Sequence, residues 1–122
     1  MNILAIDDNE DILKLLNTII TSKGYNFTQA GNGKDGIKLI EEQHFDAILL
    51  DLAMPEFSGM DVVESLKKSN ILKDQKIIIF TASSATDTEI AELLQNEGVT
   101  FCIRKPVDIK FLIKKIEDLV NP

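Results

Sequence analysis

The chain has 122 residues, 44% of them apolar and 27% charged, which suits one soluble domain with a single sizeable core and argues against disorder. Its 13 basic and 20 acidic residues leave a net charge of −7, which repels phosphate backbones and argues against a free-standing nucleic-acid binder. There is no apolar run near the roughly 20 residues that span a bilayer, no basic signal-peptide region before Asp7, and a single cysteine, Cys102, which excludes a disulfide framework and a paired-cysteine metal site; a cytoplasmic protein is expected.

In chain order, Asn2 to Ile6 is a short apolar run that predicts a strand. Ile12, Leu15, Leu16, Ile19 and Ile20 recur at helical spacing and predict a helix with those residues on its buried face, ended by Gly24. Tyr25 to Ala30 predicts a second strand, broken by Gly31-Asn32-Gly33, and Ile37 and Ile40 mark the next helix. Phe45 to Leu50 predicts a third strand and Asp51 to Gly59 a loop, followed by a helix carrying Val62, Val63 and Leu66. Lys76 to Phe80 predicts a fourth strand, Thr81 to Thr86 a loop of small residues, and Ile90, Leu93 and Leu94 a helix that Gly98 ends. Val99 to Arg104 predicts a fifth strand, and Ile109, Leu112, Ile113, Ile116, Leu119 and Val120 the last helix. The gaps between strand starts all exceed the roughly dozen residues of a crossover helix, and three strands read as continuous apolar runs. An α/β domain with a five-stranded parallel sheet, doubly wound by helices on both faces, follows.

Ligands of such sheets bind beyond the carboxyl ends of the strands. Four of the five strand ends carry functional groups: Asp7 and Asp8 after the first, Asp51 after the third, Thr81 after the fourth and Lys105 after the fifth. Three neighbouring carboxylates repel one another, and a hard divalent cation such as Mg2+ relieves this better than a proton. A carboxylate can also act as a nucleophile and form an aspartyl phosphate, which needs cationic groups around the phosphoryl oxygens. Lys105 and the Thr81 hydroxyl are suited to that task.

Together Asp7-Asp8, Asp51 within Leu-Leu-Asp-Leu-Ala-Met-Pro-Glu-Phe-Ser-Gly, Thr81-Ala82 and Lys105-Pro106 resemble the receiver domain of bacterial-type two-component response regulators, over the whole of residues 1–122. The resemblance implies a flavodoxin-like (βα)5 fold with strand order 2-1-3-4-5 and a cis Lys105-Pro106 bond. It implies that Asp51 accepts a phosphoryl group from a sensor histidine kinase or histidine phosphotransfer protein. Mg2+ would be ligated by Asp8, Asp51 and the backbone carbonyl of Ala53, with Asp7 acting mainly through water, while Thr81 and Lys105 hold the phosphoryl oxygens. The domain would catalyse only its own phosphorylation and dephosphorylation. It would signal to a downstream protein through the face formed by helix four, strand five and helix five, without contacting nucleic acid or membrane. Ala53 and Ser83, both small, would flank the phosphoryl group and leave it open to water. The sequence departs from the family at Cys102, where a tyrosine or phenylalanine is usual; Phe101 beside it would point to the opposite face of the sheet.

Two rivals come from other classes. Gly31-x-Gly33-x-x-Gly36 has the form of a dinucleotide-binding turn, but it follows what would be an edge strand and leaves Asp7, Asp8, Thr81 and Lys105 without a task. An aspartate-nucleophile phosphatase would place Asp-x-Asp after its first strand, where this chain has Asp7-Asp8-Asn9. His44, the only histidine, is expected as a solvated loop residue, and Cys102 as a small core or half-buried residue rather than a reactive thiol.

Overall fold

In the computed structural model, which describes residues 1–82, 85–106 and 108–121, strands and helices alternate five times. They are β1 (Asn2–Ile6), α1 (Glu10–Ser22), β2 (Asn26–Ala30), α2 (Gly33–Glu42), β3 (Ala47–Leu50), α3 (Gly59–Lys68), β4 (Ile77–Thr81), α4 (Asp87–Leu94), β5 (Val99–Arg104) and α5 (Ile109–Val120). A short 3-10 turn, Leu72–Asp74, fills the long connection before β4. Every strand pairing is parallel and the order is β2-β1-β3-β4-β5, the flavodoxin-like order expected.

Alternation along the strands builds two cores, because successive side chains leave a strand on opposite faces. Leu4, Ile6, Ile48, Leu50, Ile77 and Ile79 pack on one face with residues of α2, α3 and α4. Ile3, Ala5, Ala47, Leu49, Ile78 and Phe80 pack on the other with α1 and α5. β5 breaks the alternation. Ile77 pairs with Val99 but Ile78 with Phe101, so Thr100 is an extra residue, and its hydroxyl donates to the Ile77 carbonyl at 2.8 Å. This bulge puts Cys102 on the α2–α4 side and Phe101 on the α1–α5 side.

Several boundaries differ from the sequence expectation. β2 begins at Asn26, because the Tyr25 N–H closes the end of α1 on the Ile20 carbonyl. β3 begins at Ala47; Phe45 is buried just before the strand. β4 begins at Ile77 and takes in Thr81, whose carbonyl accepts the Lys105 N–H across the pair. On α1 the buried stripe is Leu13, Leu16 and Ile20, whereas Leu15 is 45% exposed. The stripe follows positions three and four apart, and Leu15 lies off that line. Leu94 is likewise exposed on α4. No helix among the described residues is long and apolar enough to cross a membrane.

Side-chain caps start all five helices at the carboxyl ends of the strands. Asn9 and Asn32 cap α1 and α2, Ser58 and Thr86 form capping boxes with Asp61 and Glu89, and Asp108 caps α5. The loops between strand and helix are thereby held around one rim.

Candidate functional site

β1 and β3 lie side by side with Ile6 paired to Leu50, so the residues just beyond them, Asp7 and Asp51, emerge as neighbours. The Asp51 N–H extends the ladder by donating to the Ile6 carbonyl (3.0 Å), and the Asp7 N–H donates to Ala30 (3.0 Å). One carboxylate oxygen from each of Asp7, Asp8 and Asp51 lies within 4.8 Å of the others. Lys105 leaves the end of β5 and reaches back over Phe80, its Nζ 5.1 Å from the ring centre. It donates to Asp7 Oδ2 at 2.7 Å and stands 3.9 Å from Asp51 Oδ2. Thr81 is buried at the end of β4, paired with Arg104. The four strand ends singled out from the sequence therefore lie on one rim, and the Lys105-Pro106 bond is cis.

Asp7 and Asp51 are buried, at 3% and 5% exposure, while Asp8 is open to solvent. Burial pushes the Asp7 carboxyl above the ordinary carboxylate range; the hydrogen bonds from Lys105 and from the Asn9 N–H (2.9 Å) pull it down, and the charge of Asp51 pushes it up. Asp51 is oriented by the Ala53 N–H, which donates to its Oδ1 at 3.3 Å. Ala53 itself is exposed. Three clustered carboxyl groups against one lysine offer the oxygen donors that a divalent cation prefers. Asp8 and Ala53 are the exposed residues beside the buried Asp51.

Sequence reasoning missed three contributors. Asn9, through its backbone N–H on Asp7 and its side chain on Asp11 and Ile12, both orients the acid and caps α1. Phe80 carries the Lys105 ammonium across the sheet. Arg104 donates to the Ala85 carbonyl and to Asp87 Oδ1, both at 3.1 Å, tying β5 to the start of α4. The run Asp7-Asp8-Asn9 and the neighbour pair Arg104-Lys105 were the available signals. Ser83 lies outside the described residues, as does Ser84 within the small-residue loop.

His44 is solvated, 3.5 Å from Asp46 at the start of β3, the end of the sheet away from the rim. Cys102 is half-buried, and burial raises its thiol. The glycine-rich turn serves packing. A Cβ on Gly36 would stand 2.5 Å from Ile6 Cδ1, and one on Gly33 2.6 Å from Phe57 Cδ1, so both glycines let α2 sit close against its neighbours.

The response regulator receiver domain matches residues 3–117 as a family. The polar-differentiation response regulator DivK of Brucella ovis is 30% identical over 98% of this chain and 96% of its own. The transcriptional regulatory protein GlrR of Escherichia coli K12 is 32% identical over 98% of this chain, but only 26% of GlrR is covered, so the chain spans about a quarter of that relative. Among solved structures, the receiver domain of Francisella response regulator 1452 superposes with a TM-score of 0.84 at 29% identity, covering 98% of this chain and 95% of that one. The Thermotoga maritima response regulator TrrA, in complex with Mg2+-BeF, gives 0.81 at 29% identity over 97% of both chains.

Proposed function

The chain belongs to the response regulator receiver domains of two-component systems, signalling modules rather than classical enzymes, and on that premise we propose that Asp51 is its phosphoacceptor. The observation that carries the reading is Asp51 itself: a buried carboxylate beside Asp7 and Asp8, with the Lys105 ammonium 3.9 Å away. A phosphohistidine of a sensor kinase or phosphotransfer protein would lose its N–P bond as an Asp51 oxygen forms the new O–P bond. Water would later cleave that bond and regenerate the carboxylate. Lys105 compensates charge on the phosphoryl oxygens, and the Thr81 hydroxyl is assigned a hydrogen bond to one of them.

The donor set fits Mg2+: Asp8, Asp51 and the Ala53 carbonyl as direct ligands, Asp7 through water. When bound, the ion supplies charge neutralisation for the transferring phosphoryl group. The Mg2+-BeF complex of TrrA, a similar protein, supports Mg2+ as the ion. We assign residues 1–122 to one receiver domain acting in the cytoplasm. Its output is a protein contact at the face of α4, β5 and α5, with no direct contact to nucleic acid.

The test is incubation with a small acyl phosphate and Mg2+, read by intact mass. Wild type is expected to gain one phosphoryl group and Asp51→Asn none; equal labelling of the variant would overturn the assignment. Asp8→Ala is expected to weaken Mg2+ binding more than Asp7→Ala, measured by isothermal titration; the reverse order would remove Asp8 as the direct ligand.

A further inference from the structure

Away from the carboxylate rim, a groove of about 560 Å3 lies between α3 and α4, within the range of roughly 300–1,000 Å3 typical of ligand clefts. Its walls repeat one pattern. Met60, Val63, Glu64 and Lys67 on α3, and Glu89, Glu92 and Leu93 on α4 with Asn96 just beyond its end, stand at the spacing 0, 3, 4 and 7 that lines one face of a helix.

Val63 and Leu93 are buried and close the bottom. Met60 is half-buried, and its unbranched thioether adapts to whatever packs on it. Above this floor the two walls carry Glu64, Glu89 and Glu92 against one cation, Lys67. Glu89 is already ordered, because its carboxylate accepts the Thr86 N–H at 3.0 Å, which also holds its pKa below the ordinary value. The charges are not spread evenly. Both helices return from parallel strands and so run in the same direction. The three glutamates therefore occupy the amino-terminal and middle part of the groove, and Lys67 lies towards the carboxyl end with Gln95 and Asn96.

We propose that this groove docks a basic amphipathic segment of a partner protein. Such a segment would set an apolar side chain on Met60 and aim lysine or arginine at Glu64 on one wall and at Glu89 and Glu92 on the other. Its basic end would lie near the start of the two helices and a neutral or acidic group near Lys67. The inference goes beyond the chemistry assigned to Asp51 and does not depend on it. Charge complementarity selects the occupant: an acidic segment would meet three carboxylates, and a wholly apolar one would leave them desolvated and unpaired.

The probe is a fluorescein-labelled synthetic helix of roughly 15 residues with leucines on one face flanked by lysines, titrated into the intact protein without Mg2+ or phosphodonor. Saturable binding, with amide shifts confined to α3 and α4, is the expected result. Glu64→Lys and Glu92→Lys, both exposed positions, are each expected to weaken binding at least about tenfold. Glu41→Lys, an equal charge change on the outer side of α2, is expected to change it less than about twofold. A helix with glutamates in place of the lysines is expected not to bind. Equal losses from Glu41→Lys and Glu92→Lys, shifts centred on another face, or no saturation would each overturn the proposal. Since Asp51 is unmodified throughout, a failure here leaves the phosphoacceptor test untouched, and the converse also holds.

Discussion

Asp7 is a buried carboxylate that shares the Lys105 ammonium with Asp51. Burial, the largest influence on it, raises its pKa in the folded protein above 3.8, so the folded state holds that proton more tightly than the unfolded chain does. For a raised carboxylate the sign is fixed. The stability it confers is complete below the unfolded pKa and is lost as pH rises through the folded one. Asp7→Asn cannot ionise and lacks this slope. In chelator-treated buffer, the Tm of Asp7→Asn relative to wild type is therefore expected to rise with pH through that window, and saturating Mg2+ to cancel the gain. Thermal unfolding of both proteins at several values between about pH 4 and 7 measures this. A constant difference would mean that Lys105 alone compensates the buried charge.

Gly59 is where an element meets the site. It is the first residue of α3, and its N–H donates to the Leu52 carbonyl at 3.1 Å. A Cβ there would overlap the Asp51 carbonyl oxygen and stand 2.8 Å from Leu52 Cα. These are backbone atoms, so neither side can yield by turning a side chain. Gly59→Ala is expected to destabilise by about 1–3 kcal/mol in urea unfolding, as overpacking does. It is also expected to weaken Mg2+ binding, because the displaced backbone carries Asp51. The Asn70 cap makes a useful contrast at the other end of α3. There φ is +60°, and the Asn70 and Ile71 N–H groups close the helix on Lys67 and Leu66, at the end of α3 opposite Gly59. Loss of stability from Asn70→Val should leave Mg2+ affinity intact. Calorimetric titration of both variants separates a site effect from a stability effect.

Across the whole molecule, the rim must communicate with the outer face of α4, β5 and α5 if the proposed switch is to work. The available links are Thr81 at the end of β4, the Arg104 contacts to Ala85 and Asp87, and the side chain at 102. Cys102 packs on the α2–α4 side, and it is too small to fill space that an inward shift of Thr81 would open. Cys102→Tyr is therefore expected to enlarge the phosphorylation-dependent amide shifts on α4. Wild-type shifts already as large as those of the variant would refute a limit set at this position. The five strand–helix repeats were legible in the sequence because periods of two and of about 3.6 residues are local properties, and the rim was legible because parallel strands all point their carboxyl ends one way. Asp7, Asp8, Asp51, Thr81 and Lys105 could be placed on that rim from order alone. Only the tertiary structure decided which partners they take. Lys105 donates to Asp7 at 2.7 Å while lying 3.9 Å from Asp51, since that choice depends on the path of its side chain over Phe80. The burial of Leu13 rather than Leu15, and the use of Gly33 and Gly36 for packing, depend on what stands opposite each helix. The bulge at Thr100 was equally hidden, because register belongs to a pair of strands, and it is what turns Cys102 rather than Phe101 towards the α2–α4 side.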